Sequence, residues 1–409
     1  MNRFTRQMAS YLQQFGAVVR NEFRTIFTDG GVLLILVFAM LIYATAYSLA
    51  YGSQGLRNVP IGVVDACRTA TSRSLIETFN AGPNTYVAYE PTDMEEAREL
   101  FYGRKIYGVV YIPSDYERKL VGGSQADVAI YCDASYFLMY RQVFQELVTT
   151  IGQTGAMVEF RRLIAKGADI PQAQAVTQPV IYQSHNLFNP YLGYGTFVMP
   201  AIIIVIIQQT MLIGIGMIGG TWREHGLYRK LRPAGRGRMS TLPIVLGRAT
   251  VYALIYAVTC AYVLGLHYRM FHFPMNGQTG AVALFTAVYL AACIAMSIAV
   301  STLFRYRENS LLLLLWTSIP VLMLSGISYP REGIPEWMFA LGKLFPSSHG
   351  VNGFIRIQTM GASLGEVFAE IKWLVILTVA YGGLACIGIH QVTRGEVALI
   401  VAQKGLEVG

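Results

Sequence analysis

Charge is what this chain has least of. Of its 409 residues 14% are Asp, Glu, Lys or Arg and 54% are hydrophobic, whereas a soluble domain usually carries about 25% charged residues. The apolar residues gather into runs of roughly 20, the length that crosses a ~30 Å hydrocarbon layer at about 1.5 Å per residue. An ordinary soluble fold is thereby excluded. Carboxylates are absent from those runs except at their ends. Carriers driven by proton or sodium gradients usually keep Asp, Glu or His inside the membrane as relays or ligands. Direct proton coupling is therefore disfavoured, although backbone carbonyls can still bind sodium.

Signature spacings are missing too. The phosphate-cradling loop G-x-x-x-x-G-K-[ST] needs a lysine followed by Ser or Thr. Lys105, Lys119, Lys166, Lys230, Lys343, Lys372 and Lys404 are all followed by something else. ATP, if it supplies the work, must be hydrolysed on another polypeptide, and no cofactor is expected on this one. H-E-x-x-H and C-x-x-C are also absent, and the six histidines are not spaced as metal ligands, so no metal site and no catalytic residue is expected. Of five cysteines, Cys260, Cys293 and Cys386 lie in apolar runs as packing groups. Cys67 and Cys132 fall in a polar insert and form a candidate disulfide if that insert faces an oxidising compartment.

The basic residues sit at the ends of the apolar runs. A net charge of +8 without an aromatic-interleaved basic patch gives no reason to expect a nucleic-acid partner. In short loops, Arg3, Arg6, Arg20, Arg24, Arg223, Arg229, Lys230, Arg232, Arg236, Arg238, Arg305, Arg307, Arg394 and Lys404 stand on one side, against Arg269, Arg331, Lys343 and Arg356 on the other. That asymmetry predicts that both termini are cytoplasmic and that the insert lies outside.

Along the chain, residues 1–30 carry apolar groups at helical spacing with arginines between them, predicting an amphipathic helix in the membrane surface. The first span follows at 31–51. Residues 52–192 hold short β-type runs, Val59–Asp65, Thr85–Tyr89, Tyr107–Pro113 and Asp127–Asp133, alternating with helical stretches. They read as an extracytoplasmic α/β domain. Residues 193–391 hold five more spans, 194–219, 243–266, 280–303, 310–327 and 372–390. They also include a basic loop at 220–242 and short helices at 328–371 that dip part way into the bilayer. A cytoplasmic tail occupies 392–409. The expected fold is a mainly α-helical polytopic membrane protein of six transmembrane helices with an inserted α/β domain.

Within the second span, Gln208, Gln209 and Thr210 stand amid isoleucines. Such groups must find a partner in another helix, a second copy or a substrate. Pro200 and Pro320 are candidate kinks of the second and fifth spans. The basic loop, a short charged element between two spans, is suited to pass on a partner's motion.

Ser325-Gly326-Ile-Ser-Tyr-Pro330, then Pro335-Glu-Trp337 and Phe345-Pro346, together with Val63-Val64-Asp65 and Gly108–Pro113 in the insert, resemble a type-2 ABC exporter permease. The branch is the one with a large extracytoplasmic domain between the first two spans. The loop Arg223-Glu224-His225-Gly226-Leu227-Tyr228-Arg229-Lys230-Leu231-Arg232-Pro233 is similar to the family's coupling segment, with a shortened acid-to-glycine interval, Leu227 in place of Thr, and Arg232 before the proline.

The resemblance implies a bacterial inner-membrane permease that pairs with a second copy or a similar paralogue. It further implies docking of cytoplasmic ATPase subunits, which hold ATP and Mg, through this loop. An amphipathic, lipid-like or drug-like substrate would be exported from the membrane lipid or cytoplasm, with a periplasmic adaptor as a further candidate partner. The alternatives are a membrane receptor or a gradient-driven carrier with an extracytoplasmic ligand-binding domain.

Overall fold

The computed structural model describes residues 3–52, 55–181, 183–190, 192–228 and 241–407; the side chains of 3–10, 314–315 and 395–407 fall outside that description. In chain order the elements are α1 (Arg3–Thr28), α2 (Gly30–Ala50), β1 (Val59–Asp65), α3 (Ala70–Asn80), β2 (Thr85–Tyr89), α4 (Met94–Tyr102), β3 (Gly108–Ile112), α5 (Tyr116–Val121) and β4 (Ala129–Cys132). They continue with α6 (Phe137–Ala165), α7 (Ile170–Thr177), α8 (Tyr194–Glu224), α9 (Leu242–Met270), α10 (Thr279–Ser301), α11 (Glu308–Leu324), α12 (Glu336–Gly342), α13 (Pro346–Phe354) and α14 (Phe368–Glu407). They form two compact units, Gly55–His185 and the remainder.

The first unit is an α/β sandwich. Its sheet runs in the order β2-β1-β3-β4, with β1 parallel to β2 and β3, and β4 antiparallel to β3. Alternation along the strands sends Ile61, Val63, Val110 and Ile112 to one face, against Leu75, Phe79 and Leu147, and sends Val64 and Val109 to the other, against Ala97. Local signals set the helix starts. Thr69 and Ser72 form a reciprocal capping box before α3, and the Asp93 carboxylate accepts from the amides of Glu95 and Glu96 at α4.

Cys67 and Cys132 are free thiols, and the register explains why they do not pair. Cys132 lies opposite Gly108, at the start of β3, while Cys67 follows the far end of β1, whose Asp65 is level with Ile112. Several residues of strand at about 3.3 Å each separate the two levels, far beyond the ~6 Å that a disulfide spans between Cα atoms. Burial also pushes the Cys132 thiol up to about 11.

The second unit is the helical bundle. α8 is mostly apolar and buried from Val198 to Gly220 apart from the half-buried Ile202 and Ile206, as expected of a helix surrounded by others. It packs against α2, α10, α11 and α13, while α14 lies along α10. Among the described residues five helices are long and apolar enough to cross a membrane: α2, α8, α9, α10 and the Phe368–Arg394 part of α14. α11 has 17 residues, about 26 Å of rise. A sixth crossing there needs flanking residues or a locally thinner bilayer.

α1 docks through a stripe it shares with one acid. Val18, Glu22 and Ile26, four residues apart, are buried, whereas Leu12, Phe23 and Phe27 are exposed. The helix thus presents one face to the bundle and leaves a second apolar face uncovered, as an interfacial helix requires.

Candidate coupling base and transport groove

The end of the helical unit where α8 stops and α9 begins is its base. There the last turn of α8 is held from three directions. Trp222 is buried, and the Arg248 guanidinium of α9 lies 4.9 Å from its ring centroid. Arg248 Nε donates to Glu22 Oε1 of α1 at 2.9 Å, both side chains being fully buried. Tyr252, one turn further along α9, donates its hydroxyl to the same carboxylate oxygen. Tyr228, also buried, meets Trp222 edge-on at 5.5 Å. A buried charge pair of this kind holds only while both partners remain, because either alone would be stranded without water.

The turn between α10 and α11 supplies the second hold. Arg223 Nη1 donates to the Thr302 carbonyl at 2.8 Å. Gly220 lies against the backbone of Tyr306, so closely that a Cβ there would fall 2.5 Å from the Tyr306 oxygen. Only glycine admits that approach. From the same turn Arg307 grips Asp29, at the foot of α2, through two hydrogen bonds of 2.5 and 2.8 Å. The Arg307 guanidinium holds the Asp29 carboxyl below the usual carboxylate range, against a smaller opposing effect of burial. Asp29 also caps the helix behind it, accepting from the amides of Gly31 and Val32.

The expected coupling segment begins at this base. Glu224 and His225 are exposed, Gly226 takes a positive φ of 61°, and the Leu227 amide closes back on the Trp222 carbonyl at 2.7 Å. Arg229, Lys230, Leu231 and Pro233 lie outside the described residues.

Half-way along α8 the three polar residues part company. Gln208 Oε1 accepts from the Ser347 amide, in the first turn of α13, at 2.7 Å. Thr210 accepts from the Tyr256 hydroxyl of α9 at 2.8 Å and donates to the Ile206 carbonyl. The bonds to Ser347 and from Tyr256 cross between helices. Gln209 is equally buried, yet its amide nitrogen and oxygen have no partner among the described residues. It lines a groove of about 530 Å³ between α2, α8 and α11, walled by Tyr43, Tyr47, Ile206, Ile213, Ile319 and Leu322. Pro200 in α8 and Pro320 in α11 each remove one helical hydrogen bond.

The motif residues shape the far end of the bundle. Ser325 and Gly326 end α11, Gly326 at a positive φ of 85°. Arg331 of the following turn donates to the Ser325 and Ser348 carbonyls. Pro335 and Pro346 stand at the starts of α12 and α13, where a missing N–H costs nothing. Pro330 precedes the short turn at Arg331, and Trp337 is exposed on α12. Gly361-Ala362-Ser363-Leu364-Gly365 has the letter spacing of a hydrolase nucleophile elbow. However, it follows a helical segment instead of a strand, and Ser363 is tied to Glu366 by bonds of 2.7 and 2.8 Å. It is a turn.

Glu22, Arg248, Tyr252, Asp29 and Arg307 were not anticipated as site residues. The readable signal was Arg248, a lone charge in the opening turns of an otherwise apolar span, which demands a partner. That the partner would be Glu22, 226 residues away, was not readable.

Residues 30–387 match the ABC-2 family transporter protein family. Among curated proteins, the chain is 21% identical over 372 residues to the Probable multidrug ABC transporter permease YbhR of Escherichia coli, covering 90% of this chain and 96% of that protein. It is 25% identical over 375 residues to the Inner membrane transport permease YhhJ of Escherichia coli, covering 88% and 92%. It is 21% identical over 365 residues to ABC transporter G family member 20 of Dictyostelium discoideum, covering 88% of this chain and 48% of that protein.

Proposed function

The chain belongs to the ABC-2 family of transporters, as a membrane-spanning subunit, and from that premise we propose that it is the permease of an ATP-driven exporter whose ATPase is a separate polypeptide. The base faces the cytoplasm, with both termini, and the α/β unit lies outside. The observation that carries the reading is the bonding at the end of α8. A segment pushed by a partner transmits force only if it is joined rigidly to the helices that must move. Here Trp222 joins it to Arg248 of α9, and through Arg248 to Glu22 of α1, while Arg223 and Gly220 join it to the α10–α11 turn.

The groove beside Gln209 is the path. Its apolar walls suit an amphipathic, lipid-like or drug-like molecule entering from the membrane, and the unpartnered amide offers an NH2 donor group and an acceptor oxygen for orientation. A second copy or a similar paralogue seated over α2 and α11 would close the groove into a central channel. The α/β unit then receives the substrate or hands it to a periplasmic adaptor. ATP and Mg belong to the partner ATPase, and the setting is a bacterial inner membrane.

The test is reconstitution with the cognate ATPase. Charge reversal at Arg229 and Lys230 should uncouple ATPase stimulation from transport, with at least a tenfold loss of substrate movement per ATP. Unchanged coupling, or transport by the chain alone in ATP-free vesicles, would overturn the reading.

A further inference from the structure

A second cavity opens at the base, on the side away from the Gln209 groove. It measures about 1020 Å³ and lies between α10, α14 and the end of α8. Its length along α14 runs from Tyr381 to Val392, a rise of about 16 Å, which is one leaflet of a ~30 Å hydrocarbon layer. Leu303, Leu384 and Ile387 line it, and each is more than half exposed (75%, 54% and 56%). On a membrane-spanning segment such exposed apolar walls are wetted by lipid.

Its rim at the base is basic. Arg223 and Arg305 both line it, and among the described residues neither makes an ion pair. Arg223 has only the neutral Thr302 carbonyl, and the Arg305 guanidinium lies 5.9 Å from the Tyr306 ring centroid. With Glu224, the remaining charged lining residue, the rim carries a net charge of +1. Apolar walls one leaflet deep, capped by arginines without counter-ions, are the inverse of an anionic phospholipid.

We propose that this cavity is a binding site for an anionic phospholipid of the leaflet at the base. One acyl chain lies along α14 as far as Tyr381, and the headgroup phosphate accepts hydrogen bonds from Arg223 and Arg305. Arg guanidinium is well suited to such an anion because its planar fork can donate two bonds to it. The lipid touches the last turn of α8, so its presence sets how firmly the start of the coupling segment is held. The site goes beyond the export reading, and its occupancy requires neither ATPase nor substrate.

The experiment is native mass spectrometry of the purified full-length chain, stripped of lipid in detergent and offered phosphatidylglycerol and phosphatidylcholine with identical acyl chains. Wild type should retain one phosphatidylglycerol per chain in preference to phosphatidylcholine. Arg305→Glu, at an exposed position, should reduce that preference about tenfold. Leu384→Trp, which fills the cavity, should reduce retention of both lipids, while Val379→Trp, exposed on α14 but outside the cavity, should change neither.

A preference that survives Arg305→Glu, or retention untouched by Leu384→Trp, overturns the site. Equal competition by soluble glycerol phosphate also overturns it, since that would mark an anion site with no use for the apolar walls. So does an ATPase that binds wild type and loses affinity with Arg305→Glu while lipid retention stays constant, because the rim would then be a protein contact.

Discussion

The base and the middle of α8 treat buried polarity in opposite ways. At the base the charges that join the helices are paired, Arg248 with Glu22 and Asp29 with Arg307, and Arg223 donates to a carbonyl, while Arg305 on the rim makes no ion pair among the described residues. In the middle, 13 residues earlier than Trp222, Gln209 is left without a partner, beside Gln208, which has one. Polar bonds between helices fix their relative positions, and unpaired groups cost stability unless something else uses them. One helix thus combines a rigid end with an open site. On the proposed function, force would enter where the structure is stiff and cargo would bind where it is not satisfied.

The sharpest way to break the contrast is at Glu22 and Arg248. Removing either partner strands the other, so Arg248→Met or Glu22→Leu alone should lower stability by about 3 to 5 kcal/mol, read as a fall in thermal unfolding temperature in detergent. The double variant Glu22→Leu with Arg248→Met should recover most of that loss, because two apolar groups replace a desolvated pair. A double variant no better than the singles would mean that the pair is not the unit holding α1 to α9.

Adjacent glutamines sharpen the contrast next. Gln208→Leu leaves the Ser347 amide buried without its acceptor and should cost about 1 to 3 kcal/mol. Gln209→Leu replaces an amide that has no partner, so stability should stay level or rise, by at most about 1 kcal/mol. Transport of a hydrogen-bonding substrate should nevertheless fall several-fold in the Gln209 variant. If Gln209→Leu destabilises as much as Gln208→Leu, the groove is structural and the assignment of a path fails.

How far these features could be read from sequence depends on the range of the interaction that makes them. The strands at Val59–Asp65 and Thr85–Tyr89, the helical stretches between the strands, and the apolar runs were all legible, because period and turn chemistry are local. The prolines before α12 and α13 were legible for the same reason. Which of Gln208 and Gln209 faces a neighbour was not, since a step of about 100° around the helix separates glue from groove and only packing decides it. Glu22 was hidden by its setting. In a stripe read for apolar period, an acid counts as an interruption, yet it occupies the same face as Val18 and Ile26 and pairs with Arg248. The candidate pairing of Cys67 with Cys132 failed through strand register, which sets the two residues at different levels along the strands and leaves no trace in spacing.

The smallest expected effect tests whether the base is uniformly stiff. Asp29 and Arg307 are less buried than Glu22 and Arg248, at 23% and 31% exposed, so solvent screens them and Asp29→Asn should cost only about 1 kcal/mol. The sign with pH follows from the lowered carboxyl pKa. A carboxylate held below its unfolded value stabilises the fold at all pH above that value, and the contribution disappears as pH falls through the folded one. The gap in unfolding temperature between wild type and Asp29→Asn should therefore be constant from pH 8 to about 5 and close below about 4. A gap that opens on acidification, or one as large as that of Arg248→Met, would show that the α2 foot and the α1 clamp are not graded by burial. The distinction between a screened outer hold and a desolvated inner one would then have to be given up.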